Sequence, residues 1–223
     1  METQNNTRNS KRKIPCKICV LILLIALIVV GLVLYLNPVM ISYLLDIDLA
    51  IFNWINTGMS NMVFDVIMPW LTYLGDFWAG WIFIVILFMM NLKPVKRGIR
   101  ICLFASLIYG CVSGLQSVVR YLVNRPRPFI DHEVIVRVAH LPTDPSFPSG
   151  HAATAFMIAT ILSDQFPKYR YVFYVFACLV SFSRVYLGLH YLSDVIVGAL
   201  IGYGITRLLL TNKFLRTRIT GIA

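Results

Sequence analysis

Residues 183–210 read SRVYLGLHYLSDVIVGALIGYGITRLLL and place ionisable side chains directly before a long apolar run. The run, Val195–Leu210, approaches the roughly 20 residues that a helix needs to cross a lipid bilayer. Three residues that could act on an anion, Arg184, His190 and Asp194, precede it. The stretch therefore predicts a membrane helix with a cluster of ionisable groups at its N-terminal end.

The composition of the whole chain agrees with this prediction. Of 223 residues, 58% are hydrophobic and 13% are charged, and the mean hydropathy is +0.75, which is too apolar for a soluble domain. Comparable apolar runs recur along the sequence: Ile18–Leu36, Ala79–Met90, Ile99–Val119, Ala152–Leu162, Val172–Phe182 and Val195–Leu210. We therefore predict an all-α bundle of six transmembrane helices. It forms one membrane domain, residues 18–211, between basic tails at residues 1–17 and 212–223.

The basic residues predict how this bundle is oriented. They cluster before the first run, between the second and third, between the fourth and fifth, and after the sixth. Because basic loops are retained in the cytoplasm, we expect a multi-pass protein of the cell membrane with both termini cytoplasmic. The site would then lie at the external, extracytoplasmic face. Since topology accounts for most of the net charge of +10, that charge does not indicate nucleic-acid binding.

Between the first two runs lies an amphipathic stretch, Ile47–Trp78. Its apolar residues recur at helical spacing, and Trp54, Trp70 and Trp78 are suited to the depth of lipid headgroups. The pattern predicts an interfacial helical segment between helices 1 and 2. Packing of this connector against the bundle is favoured over a role as a lid or a lipid guide.

His190 and Asp194 are four residues apart at the start of the last run. On a helix this spacing places both side chains on one face, so the carboxylate can accept a hydrogen bond from the imidazole N–H. The other ring nitrogen then keeps a free lone pair, and the carboxylate stabilises the charge that develops as this nitrogen attacks phosphorus. The pattern predicts His190 as a nucleophile that Asp194 orients.

A second histidine follows Pro148, Ser149 and Gly150 at the start of the fourth run. Pro148 ends the incoming loop, Ser149 is a favourable N-cap, and Gly150 lets the backbone approach an anion. Free N–H groups at a helix N-terminus bind phosphate oxygens, so the turn is expected to hold phosphate. His151 is then placed to protonate the leaving oxygen from the side opposite His190.

Arginines supply the positive charge that a phosphate site requires. Guanidinium groups bind phosphate in two-point contacts, so Arg120, Arg127 and Arg184 are predicted to clamp the phosphate oxygens, with Arg125 a weaker candidate. Any one arginine alone is more often explained by contact with lipid phosphates, and any one histidine by a structural hydrogen bond. Their joint occurrence at three helix ends favours one catalytic site.

The site residues fall into three motifs: Arg120-x6-Arg127-Pro128, Pro148-Ser149-Gly150-His151, and Ser183-Arg184-x5-His190-x3-Asp194. These segments resemble the signature motifs of the type 2 phosphatidic acid phosphatase superfamily, membrane lipid phosphatases whose relatives include vanadium haloperoxidases. The second and third motifs match without exception. The first differs at one position, because Arg120 stands where lysine is usual, which keeps the positive charge.

The resemblance implies roles for the matching positions. Phosphate would be bound by Arg120, Arg127, Ser149, Gly150 and Arg184, with His151 as general acid, His190 as the residue that becomes phosphohistidine, and Asp194 as its orienting carboxylate. It also implies catalysis without a metal ion or other cofactor. The substrate would be a lipid phosphate taken from the membrane, such as undecaprenyl pyrophosphate, phosphatidylglycerol phosphate or phosphatidate, and no obligate protein partner is evident.

Other polar residues are not expected to bind a metal. The spacing of Asp131, Glu133 and Asp144 suggests an exposed loop or a substrate rim, and Cys16-x2-Cys19 lacks the second ligand pair of a zinc site. Two alternative functions remain open. A phosphotransferase would pass the phosphate to a lipid or sugar acceptor instead of water. A lipid transporter is disfavoured, because the middles of the apolar runs contain essentially no ionisable residues.

Overall fold

The computed structural model describes residues 38–91 and 95–212, and every regular element in these ranges is helical. The α-helices are α1 (Pro38–Asn53), α2 (Met62–Thr72), α3 (Phe77–Met90), α4 (Val95–Val123), α5 (Pro128–Asp131), α6 (Gly150–Gln165), α7 (Arg170–Tyr186) and α8 (Leu192–Thr211). A π-helical turn, Trp54–Gly58, extends α1, and short 3-10 turns, Tyr73–Gly75 and Pro167–Tyr169, follow α2 and precede α7. The prediction of an all-helical membrane protein is confirmed.

The predicted number of six membrane spans is not confirmed. Among the described residues, Val39–Gly58, Gly98–Asp131 and Leu192–Thr211 are long and apolar enough to cross a membrane. The pair Met62–Gly75 and Phe77–Met90, bent by 61°, adds a fourth if it forms one broken span. The described residues thus contain three or four candidate spans, and the predicted first span lies outside them.

Two of the predicted spans are helices that are short for a membrane. Ala152–Leu162 and Val172–Phe182 lie in α6 and α7, which have 16 and 17 residues, whereas a span needs roughly 20. The predicted first helix, Ile18–Leu36, lies outside the described residues, as do the basic tails apart from Asn212. The apolar runs therefore located helices correctly in the second half of the chain, but they did not establish how many of them cross the bilayer.

The stretch expected to form one interfacial segment, Ile47–Trp78, is helical but broken. Its first part completes α1 and the π-helical turn, and its second part is α2 with the following 3-10 turn. The side chain of Asn61 accepts a hydrogen bond from the backbone N–H of Phe64 at 2.9 Å and so caps the start of α2. Helical periodicity does not distinguish a polar residue that caps a helix from one on the polar face of a helix. The break before α2 was therefore not predicted.

Helix α6 lies at the centre of the described bundle. It packs against α7 and α8 and also against α3 and α4, and its apolar residues contribute to each of the three hydrophobic clusters of the core. Its N-terminal end lies very close to α8: a β-carbon added at Gly198 would lie 2.3 Å from the backbone oxygen of Ser149. Only glycine fits at this contact. The close approach of the two backbones holds the start of α6 against the start of α8.

Candidate active site

Residues from all three motifs line one cavity of about 300 Å³ at one end of the bundle. The end of α4, the start of α5, the start of α6, the end of α7 and the loop before α8 all contribute to it. Its charged and titratable motif residues are Arg120, Arg127, His151, Arg184 and His190. Side chains that are up to 70 positions apart in the sequence therefore share one small, strongly basic space.

His190 lies on a tight turn between α7 and α8. Gly188 has a φ angle of +81°, a backbone conformation that glycine adopts without strain, and the turn is closed by a bond from the Leu189 N–H to the Arg184 carbonyl. The fully buried Asn56 also stabilises this turn, because its side-chain amide donates a hydrogen bond of 2.9 Å to the carbonyl of Tyr186. The π-helical turn that carries Asn56 thus helps to position the loop of the histidine.

The two ring nitrogens of His190 face different partners. Nε2 lies 3.2 Å from Nη1 of Arg127, while Nδ1 lies 3.5 Å from Oδ2 of Asp194. Because a guanidinium only donates, Nε2 of the neutral ring is the acceptor and Nδ1 carries the proton. The ring therefore has the tautomer expected of a nucleophile, with its lone pair at Nε2 and its N–H towards the carboxylate, although the approach to Asp194 is longer than an ordinary hydrogen bond.

His190 is held in its neutral form. Burial lowers the pKa of His190 well below its ordinary value of 6.5, and the charges of Arg127 and Arg184 lower it further. Only 2% of the side chain is exposed. At neutral pH the imidazole therefore keeps the lone pair that an attack on phosphorus requires.

The second motif forms the start of α6, as the sequence suggested. The Ser149 side chain caps the helix by accepting a bond from the Ala152 N–H, and the Ser149 N–H donates 3.0 Å to the carbonyl of Asp194. Gly150 and His151 line the cavity at this helix N-terminus. Backbone N–H groups and the positive end of the helix dipole thus face the place where an anion would lie.

His151 has a carboxylate neighbour that the motifs did not indicate. Its Nε2 lies 3.7 Å from Oδ1 of Asp76, which also caps α3 by accepting a bond from the Phe77 N–H. Asp76 lines the same cavity. The only signal for it in the sequence is an ionisable residue within an otherwise apolar stretch, a feature that by itself suggests function in a membrane protein.

Arg120 and Arg127 both contact a carboxylate that was expected at a rim. Oδ1 of Asp144 accepts from Nη2 of Arg127 at 2.9 Å, and Oδ2 is paired with Nη1 of Arg120. Asp144 therefore lines the cavity from an irregular connection while 42% of its side chain is exposed, which agrees with the predicted exposed loop or substrate rim. Spacing could not reveal its pairing with the two arginines, because the irregular chain between α5 and α6 folds back over the arginines.

Arg184 is the third arginine of the cavity and differs from the other two. It is buried, its Nη1 donates 2.7 Å to the hydroxyl of Thr72, and its Nε has no hydrogen-bond partner within the described ranges. A buried guanidinium with unused donors is costly unless an anion joins it. Arg184 is therefore well suited to contact a phosphate.

Arg125, the weaker candidate for the clamp, does not line the cavity. Its Nη1 donates 2.8 Å to Oδ1 of Asp194, its Nη2 donates 3.0 Å to Asp48 of α1, and its guanidinium stacks on the ring of Tyr191. Two carboxylates bind the Arg125 guanidinium directly, so this side chain lies behind Asp194 and not in the cavity. Arg125 supports the carboxylate that faces His190.

A larger, mainly apolar cavity of about 580 Å³ adjoins the basic one. It lies between α3, α6 and α7 and is lined by residues such as Ile82, Ile158 and Phe176. Asp76 lines both cavities. A polar site thus opens beside a groove that is suited to a hydrocarbon chain.

Comparisons with known proteins agree with this site. A family model described as the PAP2 superfamily matches residues 99–218, which is more than half of the chain. The chain belongs to the PAP2 superfamily. The family that the three motifs predicted is therefore confirmed, and the matched residues include all three motifs.

Individual relatives are phosphatases. An undecaprenyl-diphosphatase of Sulfolobus acidocaldarius is 32% identical over 59% of this chain, and the match spans 64% of that protein's length. A lipid A 4'-phosphatase of Bacteroides thetaiotaomicron is 31% identical over 73% of this chain and 75% of its own. These names support the prediction of a lipid phosphatase.

A solved structure shares the fold. The PAP2-type phosphatidylglycerolphosphate phosphatase of Bacillus subtilis, a transmembrane enzyme, superposes with a TM-score of 0.64 at 26% identity. The match covers 87% of this chain and 94% of that one. Together with the candidate spans, this likeness identifies the chain as a membrane protein.

Proposed function

We propose that the chain is a metal-independent, multi-pass membrane phosphatase that hydrolyses a lipid phosphate or diphosphate through a phosphohistidine at His190. The observation that carries this proposal is the basic cavity itself. Two histidines and three arginines line about 300 Å³, and this space adjoins an apolar groove at Asp76. A phosphate would occupy the first space while its lipid tail occupies the second.

In the first step, Nε2 of His190 attacks phosphorus and the bond from phosphorus to the leaving oxygen breaks. Burial and the charge of Arg184 lower the pKa of His151, so the negative charge of the bound phosphate is what keeps this ring protonated. His151 then gives its proton to the leaving oxygen, and the lipid product leaves. Arg184, with Arg120 and Arg127, offsets the charge on the phosphoryl oxygens, while Gly150 binds them at the start of α6. Ser149, predicted to bind phosphate, is fully buried and does not line the cavity, so it acts by capping this helix. Asp194 stabilises the positive charge that forms on the His190 ring.

In the second step, water attacks the phosphohistidine. His151, now neutral, takes a proton from the water as the bond between phosphorus and Nε2 breaks. Inorganic phosphate leaves, and both histidines return to their starting forms. The proton that leaves with the lipid is thus replaced by one from water, and both transfers pass through His151.

Three lipids are the candidate substrates that the family resemblance implies: undecaprenyl pyrophosphate, phosphatidylglycerol phosphate and phosphatidate. Relatives that act on an undecaprenyl diphosphate and on phosphatidylglycerolphosphate support the first two. We place the cavity on the extracytoplasmic side with both termini in the cytoplasm, because the basic residues cluster at the opposite helix ends.

Release of phosphate by the purified protein tests the function. The protein in detergent with EDTA is offered each of the three lipids, beside His190→Ala and His151→Ala. His140→Ala is the matched control, since His140 is exposed and does not line the cavity. We expect metal-independent release that falls by at least about a thousandfold in His190→Ala and is unchanged in His140→Ala.

Other outcomes would change the conclusion. If no lipid yields phosphate but label from the lipid appears on a lipid or sugar acceptor, the chain is a phosphotransferase. Equal activity of His190→Ala and wild type would exclude the phosphohistidine. Loss of activity in EDTA that returns with a divalent metal would exclude the metal-independent mechanism.

A further inference from the structure

The donors of Arg127 are already engaged within the protein. Nε donates 2.7 Å to the backbone oxygen of Asp144, Nη2 donates 2.9 Å to its carboxylate, and Nη1 donates 2.9 Å to the carbonyl of Leu189. The guanidinium is 3% exposed. A phosphate therefore cannot obtain a two-point contact with Arg127 unless Asp144 moves.

The same carboxylate also engages Arg120. One oxygen of Asp144 is paired with each arginine, so the carboxylate bridges Arg120 and Arg127 as two oxygens of a phosphate would. Burial opposes ionisation, but the charges of Arg127 and Arg120 prevail and hold the pKa of Asp144 below its ordinary value. The group is thus an anion at neutral pH.

We propose that Asp144 is the internal anion of the phosphate site, which occupies Arg120 and Arg127 between turnovers and yields both to the substrate phosphate. This inference rests on the proposed function, because it assigns Asp144 a part in the same reaction cycle. The carboxylate offsets part of the charge of the arginine pair and keeps the two side chains in place while the site is empty.

Two features of the site allow this exchange. Asp144 belongs to the irregular connection between α5 and α6, and 42% of its side chain is exposed, so it can turn outward without disturbing a helix. Arg184 has no bond to Asp144, and its Nε is without a partner in the described part of the chain. An entering phosphate can therefore contact Arg184 first and then replace the carboxylate on the pair.

The exchange has a consequence for product release. An anion can bind the arginine pair only in those molecules in which Asp144 has released it. The apparent affinity for the anion is therefore the intrinsic affinity multiplied by the fraction of such molecules. Inorganic phosphate left after hydrolysis competes with Asp144 for the same donors. The return of the carboxylate then favours departure of the product.

Phosphate binding to the purified protein in detergent, without any lipid substrate, tests the inference. Isothermal titration with inorganic phosphate compares the wild type with Asp144→Asn, which keeps the size of the side chain but removes its charge. The matched control is Glu133→Gln, an exposed acidic residue of the same connection. We expect Asp144→Asn to bind phosphate about tenfold more tightly, and Glu133→Gln to bind as the wild type does.

A second measurement needs no variant. In the wild type, hydrogen exchange of peptides covering residues 139–147 should rise when phosphate is added, because Asp144 is released. The inference is overturned if Asp144→Asn binds phosphate equally or more weakly, or if this exchange stays constant or falls. Both measurements are independent of turnover, so a failure of the proposed lipid phosphatase activity would not be mistaken for a failure of the exchange.

Discussion

The two histidines of the cavity occupy different surroundings. The His190 side chain is 2% exposed and that of its carboxylate Asp194 is 0% exposed, whereas His151 is 21% exposed and its neighbour Asp76 is 44% exposed. Arg125, Asp48 and the start of α8 surround the first pair. The second pair lies where the basic cavity meets the apolar groove.

The difference in burial indicates which histidine is held rigidly and which can move with the substrate. A nucleophile must approach phosphorus along one line, so rigid burial of His190 is useful. His151, the predicted acid, must instead protonate an oxygen of a large lipid that enters and leaves the site. Its partly exposed position allows this movement. The contrast predicts that equivalent changes on the two sides have unequal effects.

The largest effect is expected from Asp194→Asn. Loss of this charge removes the group that stabilises the positive His190 ring during attack, and we expect kcat to fall by about a thousandfold. The amide can still accept the bond from the Tyr191 N–H, so the start of α8 is preserved. Steady-state phosphate release from undecaprenyl pyrophosphate measures the change.

Asp48→Asn is the matched control for that variant. Asp48 shares Arg125 with Asp194, but it is Asp194 that faces His190, so we expect less than about a tenfold loss of kcat. If Asp48→Asn were as damaging as Asp194→Asn, the whole ion-pair network, and not the contact with His190, would be the source of the effect.

A smaller effect is expected from Asp76→Asn on the open side. Burial and the charges of Arg184 and Arg127 lower the pKa of His151 well below its ordinary value of 6.5. The Asp76 carboxylate, 3.7 Å away, opposes this lowering, so its removal makes the protonated form disappear at still lower pH. We expect kcat to fall by about tenfold at most, and the basic limb of the pH profile to move towards acid. The profile of kcat between pH 5 and 9 tests this, and a uniform loss at every pH would indicate a structural role only.

The smallest effect is expected in the acidic limb of the pH profile of kcat/KM of the wild type. The lowered pKa of His190 means that its neutral form persists as the pH falls through 6.5, where an ordinary imidazole becomes protonated. Activity that depends on neutral His190 should therefore be kept at about pH 5.5, where an ordinary histidine would be only about one-tenth neutral. An acidic limb of kcat/KM centred at or above 6.5 would contradict the buried, neutral nucleophile.

The motif residues and their helices could be read from the sequence because both signals are local. A four-residue interval identifies His190 and Asp194 as neighbours, and a Pro-Ser-Gly-His turn before an apolar run identifies the start of α6. The structure brings Gly150, His151 and His190 to one cavity and buries Asp194 beside His190, while their catalytic roles remain predictions. Helix ends and motif spacing were thus sufficient to predict most residues of the site.

The remaining features depend on long-range pairing, which spacing does not encode. Arg125 pairs with Asp48 across 77 positions, and Asp76 meets His151 from a different helix. The number of spans is not confirmed for a related reason, because hydropathy counts apolar residues without distinguishing those that face lipid from those that face another helix. The apolar residues of α6 mostly face other helices.

The hydrogen bond from the Ser149 backbone to the Asp194 backbone has a consequence for how such an enzyme can diversify. The separation between the phosphate-binding turn and the support of the nucleophile is determined by main-chain atoms and by the lack of a side chain at Gly198. Substitutions in the walls of the apolar groove leave that separation unchanged. One chemical step can therefore be kept through evolutionary drift while the lipid that it acts on is exchanged.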